Sequence, residues 1–514
     1  MFRATTRERT IARQVLIGLS GRRLAFAGAI AFASVSAYLW TGNVNWIFLL
    51  VYGALMVLIS PTTMNARAFF QGAERREVGG ALLTASVLIT WIFAKSITNA
   101  ANLGNAFGLV GGLAYSAYYL SFFVAAFVIY RLRVRGGFRS VHHFLSTRYG
   151  LAASLAFTLA ILIRLMNEIW SNTAVVAAYF GPQGSSPYLL SVLVVTAFTV
   201  YYTAKGGLRS SILTDGVQMA LAAFMLFFIL GLIFPGLRAE RTAIVEASVF
   251  SLRNGVDLLL VALLQVLSYP FHDPVLTDRG FVSKPRAMRK AFLTAGGLGV
   301  VFIFLFSLVG VHARVLGLEG TPTIAIANNL GLPMLILMNV IMLSSATSTI
   351  DSTFSSVSKL FAVDLRRLLP RRIDAIVDRL SRLSSAAMGK DGKLIGFGRW
   401  IIVAVAVAGN LPLLLKPEIL SATTISGTMV MGLAPIFLLY RLKGANKVSF
   451  HLSFWTGVML GILLTLGWIP QLFAIGAGRY GLLLGTNLYG LGLCTTLFLG
   501  PTLWKRLAGR HVTT

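Results

Sequence analysis

Apolar runs about twenty residues long recur from one end of this 514-residue sequence to the other, and they restrict its fold more than any motif does. A bilayer core takes ~20 apolar residues per crossing helix. Inside lipid the backbone must satisfy its own hydrogen bonds, so continuous runs of that length cross as helices. With 56% hydrophobic and only 12% charged residues, the chain reads as an all-α polytopic membrane protein. The pattern gives about fourteen spans, near 24–40, 45–60, 79–99, 106–130, 151–174, 186–203, 212–235, 256–270, 290–314, 331–361, 398–415, 420–440, 450–475 and 481–503. The largest polar segment, 366–396, is short and basic, and reads as a loop.

The net charge of +28 could suggest a nucleic-acid partner, but its placement does not. With residue 1 in the cytoplasm, the inner segments 1–23, 61–78, 131–150, 203–211, 271–290, 366–399, 441–449 and 504–514 hold 36 of the 45 Lys and Arg residues. That asymmetry is the positive-inside rule, and it predicts a cell-membrane protein with both termini cytoplasmic. The charge is explained as orientation and contact with anionic lipid. Lys95, Arg164 and Lys359 fall inside spans, and Lys359, near a cytoplasmic end, is expected to snorkel.

RATTRERTIARQ and the apolar run ending in ASVSA (33–37) could form a cleaved signal peptide. Apolar character continues into YLW, which favours a retained helix. The single cysteine, Cys494, excludes an intramolecular disulfide. HExxH, CxxC and GxxxxGK[ST] are all missing, so neither a metalloenzyme nor an ATP-driven motor is encoded. Transport would have to use an ion gradient or run downhill.

One apolar run ends in SSATSTIDSTFSSVSK (344–359), in which ten of sixteen residues carry hydroxyls. Ser345, Ser348, Thr349 and Ser352 follow i, i+3, i+4, i+7 spacing and share a helix face. Hydroxyl oxygens are hard ligands suited to a small cation. The same small residues also serve close helix–helix contact, and the spacing alone leaves both readings open.

Five segments read together resemble the sodium/solute symporter family. They are FFQGAERREVGGALLTASVLITWIFAKS (69–96), FRSVHHFLSTRYG (138–150), YYTAKGGLRSSILTDGVQ (201–218), SYPFHDPVLTDRGFVSKPRAMRKAF (268–292) and STIDSTFSSVSKLFAVDL (348–365). The resemblance covers about residues 45–445 in order. It implies a leucine-transporter-type inverted repeat, with 79–235 and 256–440 as five-helix halves. Helices in 24–60 and 450–503 would be accessory. It further implies sodium as the coupled ion, held by the Ser348 and Thr349 hydroxyls and by carbonyls of Ile89, Ile92 and Ser345. Some members hold a second cation with an acid equivalent to Asp215 and hydroxyls near Asp351 and Ser352. Asp215 reads equally well as a helix cap after the Gly-Gly-Leu-Arg loop.

This chain departs from its relatives at Lys95, three residues after Ile92, and at Trp91, which replaces a smaller polar residue. A buried ammonium beside a sodium site would repel the ion. Lys95 is therefore neutralised by a counter-charge, binds an anionic substrate, or stands in for the ion. Arg164 and Glu168, four residues apart, offer a partner, and Trp91, Lys95, Ser96, Arg164 and Glu168 form the candidate substrate site. The expected function is sodium-coupled symport of a small organic solute by alternating access, the solute being anionic and carboxylate-bearing where Lys95 binds it. A proton-coupled or ion-independent carrier and a substrate-gated sensor are the alternatives.

Overall fold

The computed structural model describes residues 21–72, 78–246, 248–382, 389–415 and 426–510. The basic N-terminal segment up to residue 20, Lys416 and the start of the 420–440 run lie outside the described residues. The principal helices are α1 (Gly21–Thr41), α2 (Asn45–Ile59), α3 (Gly80–Ile89), α4 (Ala94–Ser116), α5 (Ser121–Val134), α6 (Leu151–Ala177), α7 (Ser186–Ala239) and α8 (Val256–Gln265). They continue with α9 (Pro274–Arg279), α10 (Pro285–Val315), α11 (Leu332–Lys359), α12 (Lys390–Asn410), α13 (Leu433–Leu438), α14 (Lys447–Thr465) and α15 (Gly481–Arg510). Among the described residues the structure is all-helical, and eight helical stretches are long and apolar enough to cross a membrane. Four shorter apolar helices accompany them, α3 and α8 included.

Those two short helices are halves. The first core helix stops at Ile89 and resumes at Ala94, leaving Thr90–Phe93 unwound. The amides beyond the gap are taken up elsewhere: Ser96 N and Ile97 N both bond Phe93 O, and Lys95 N reaches the Asn172 side chain at 3.4 Å. A second break runs from Val266 to Asp273, between α8 and α9. Pro270 and Pro274 lack the N–H that a continuous helix would need there. Asp273 Oδ1 then caps α9 by accepting from Val275 N and Leu276 N.

Two spans that the sequence separates by loops are joined by single-glycine turns. Gly108 (φ 60°) folds α4 back so tightly that a Cβ on Gly111 would lie 2.0 Å from Leu103 O. Gly207 (φ 59°) turns α7 the same way, in place of the expected 203–211 loop. Both need a positive φ that side chains other than glycine resist. α11 lies at the centre, packed against α6, α7 and α12, and continues beyond Lys359 as a π-turn, Leu360–Leu365. Every residue from Ile341 to Leu360 is buried, so the hydroxyl-rich stretch faces protein and not lipid.

Candidate functional site

Ser345, Ser348, Thr349 and Ser352 are all buried on α11. Thr349 donates to Ser345 O at 2.9 Å, and the Ser345 hydroxyl itself has no partner among the described residues. Ser348 donates to Asp215 Oδ1 at 2.5 Å. From the other side Ser86, one turn before the first break, donates to Asp215 Oδ2 at 2.6 Å. Asp215 thus links the first core helix to the hydroxyl face; Ile89, the last residue of α3, and Ile92, in the break, are both buried.

Asp215 is not a helix cap: it sits eight residues past the Gly207 turn, inside α7 and fully buried. Its charge is met by Arg279, whose Nη2 lies 2.8 Å from Asp215 Oδ2. Arg279 counted as a loop charge in the 271–290 segment, yet it ends α9 and is fully buried. It also donates to Ser86 Oγ (2.7 Å), Ser352 Oγ (2.7 Å), Ser211 Oγ (3.3 Å) and Val275 O (3.1 Å). Asp351 accepts from Tyr202 (2.7 Å), Ser211 (2.8 Å), Thr214 (3.2 Å) and Ser352 (3.1 Å).

The second charged group joins the two broken helices. Lys95, in the first turn of α4, donates to Glu168 Oε1 at 2.7 Å, and Glu168 is also paired with Arg164. Arg164 Nη2 reaches Asp273 Oδ2 at 3.3 Å, in the second break. The four side chains alternate in sign and are all buried. Of the three roles open to Lys95, neutralisation by Glu168 is the one this arrangement contains. The Lys95 ammonium lies 5.1 Å from the Phe93 ring centre, and Arg164 lies 4.9 Å from that of Tyr269. Trp91 packs on Phe122 and Tyr269, its indole N–H without a partner among the described residues. Ser96 is 3.2 Å from the Tyr115 hydroxyl.

Lys359 does not snorkel. It is buried and pairs with Asp278 on α9 and with Asp364 in the π-turn. Sequence reasoning missed Asp273, Asp278 and Arg279. The readable signal was two prolines and three charges within eleven residues of an apolar run, in PFHDPVLTDRG (270–280). That is how an interrupted helix with a polar continuation looks.

No family model matches the chain. Sodium/glucose cotransporter 1 of Mus musculus is 24% identical over 485 residues, which span 79% of this chain and 69% of that protein. Sodium/glucose cotransporter 4 of Danio rerio is 24% identical over 367 residues, spanning 58% of this chain and 55% of the relative's own length. Among solved structures, a Na+-coupled sialic acid symporter in a substrate-bound outward-open state superposes with a TM-score of 0.65. That match has 18% identity and covers 88% of this chain and 96% of the other. Fold and relatives define the class: a multi-pass membrane transporter, not an enzyme. The resemblance to the sodium/solute symporter family, carried in the sequence by five segments, is borne out by these matches.

Proposed function

We propose that this protein is a sodium-coupled symporter of a small organic solute, working by alternating access in the cell membrane. The observation that carries the reading is Asp215, which accepts from Ser86, one turn before the unwound Thr90–Phe93 segment, and from Ser348 on the hydroxyl face of α11. A helix interrupted within a span releases carbonyl oxygens that hard ions use. Ile89, Ile92 and Ser345 supply carbonyls, and Ser348 and Thr349 supply hydroxyls, to one sodium ion. Both halves, 79–235 and 256–440, open with an interrupted helix, as an inverted repeat requires. In this reading each folded stretch is a separate span, fourteen in all, with the helices in 24–60 and 450–503 accessory.

The substrate binds between the two breaks, near Trp91, Lys95, Ser96, Arg164 and Glu168. Because Glu168 already meets the Lys95 charge, Lys95 does not stand in for the ion, and sodium is favoured over an ion-independent carrier. The test is thermal stabilisation of purified protein by sodium against choline. Ser348→Ala and Thr349→Ala should each weaken the sodium response at least about tenfold, roughly 1.4 kcal/mol of ion binding, while still folding. Equal stability in sodium and choline would remove the ion assignment.

A further inference from the structure

We propose that Arg279 is a tethered cation, its guanidinium filling a nest of carboxylate and hydroxyl oxygens that would otherwise hold a second dissociable ion, so that the carrier couples to one sodium. The inference rests on the sodium reading only for that count.

The oxygens come from four elements. Ser86 lies on α3, Ser211 and Asp215 on α7, Val275 on α9 itself, and Ser352 on α11. All five of those contacts run to one guanidinium, between 2.7 and 3.3 Å. Asp351 adjoins the nest through two of its members, accepting from Ser211 and Ser352. Carboxylate, carbonyl and hydroxyl oxygens are the ligand set a small hard cation prefers. A guanidinium satisfies the same oxygens with a fixed fork of five N–H groups and stays charged at any physiological pH.

The charge count points the same way. Asp215 and Asp351 are both fully buried, and Arg279 is the one cation paired with either among the described residues. Removing its charge leaves two buried acids in an oxygen-lined space, which calls for a replacement cation. Because the charge is covalently part of α9, it never crosses the membrane and adds nothing to the ions transported.

The experiment titrates sodium chloride against thermal unfolding of the detergent-purified chain, with choline holding ionic strength. The slope of unfolding free energy against ln[Na+] at saturating sodium, in units of RT, is a coefficient that counts bound ions; it should be about 1 for the wild type and about 2 for Arg279→Gln purified in sodium. Arg279→Lys keeps a fixed positive charge and should stay at about 1. A wild-type coefficient of about 2, or a folded Arg279→Gln still at about 1, overturns the proposal. Should Arg279→Gln not fold, Arg279→Lys decides: a rise to about 2 overturns the tethered cation, and a value of about 1 supports it. If the wild type ignores sodium, the sodium reading fails by itself. A sodium response acquired by Arg279→Gln would then still support the tethered charge, and none would overturn it.

Discussion

Glu168 accepts from two cations at once, Lys95 and Arg164, and the two substitutions that disturb it are not equivalent. Glu168→Gln leaves Lys95 without a partner and Arg164 with only Asp273, so it should destabilise by about 3–5 kcal/mol. Lys95→Gln leaves Glu168 still paired with Arg164, and should cost about 1.5–3 kcal/mol, the range of one hydrogen bond to a charge. Chemical denaturation in detergent checks both, and equal losses would mean that Arg164 does not hold Glu168. The spacing of Arg164 and Glu168 made half of this arrangement readable in the sequence. Asp273 and Arg279 were missed as site residues because the apolar run ends at Pro270. Just past it comes a six-residue helix carrying two charges, Asp278 and Arg279, and a segment that polar has the hydropathy of a loop even when it is buried.

At the scale of elements, hydropathy located the eight crossing helices and four shorter apolar ones seen among the described residues, but not the way they join. The 203–211 segment carries Lys205 and Arg209, which reads as a cytoplasmic loop, whereas helix runs through it on either side of Gly207. Only backbone geometry distinguishes a one-residue turn from a short loop, and Gly-Gly at 206–207 is compatible with either. The turn is exacting: a Cβ on Gly207 would lie 2.3 Å from Phe69 O, and φ there is 59°. Gly207→Ala should therefore lower stability by at least about 1–3 kcal/mol, read as a drop in the thermal midpoint. Gly231→Ala, with open space around its Cβ, is the control and should not show the drop. The hydroxyl face of α11 was legible because helical spacing is local. Its link to the first break passes through Asp215, whose contacts with Ser86 and Ser348 span more than a hundred residues of sequence and leave no local trace.

Across the whole molecule, the basic segments assigned to one side of the membrane touch one another. Arg133 donates to Gly280 O and Ser283 O, joining 131–150 to 271–290. Arg148 donates to Leu442 O, joining 131–150 to 441–449. Arg399 donates to Ala204 O, Thr63 N to Lys205 O, and Ala66 N to Asp391, joining 61–78, 203–211 and 366–399. The segments assigned to the other side also meet: Arg314 reaches Ala106 O, Leu109 N meets Ser248, and Tyr480 N meets Asp257. A span counted wrongly between them would have brought opposite groups together. The sidedness read from Lys and Arg is thus internally consistent, and for its absolute direction we propose the basic face in the cytoplasm, as the positive-inside rule expects. Leu472, 91% exposed in the connection between α14 and α15, belongs to the opposite face. On a Cys494→Ser background, Leu472→Cys should react with a membrane-impermeant maleimide added to intact cells. Arg139→Cys, exposed between α5 and the next helix, should react only after permeabilisation. The reverse pattern would invert the topology assigned from Lys and Arg.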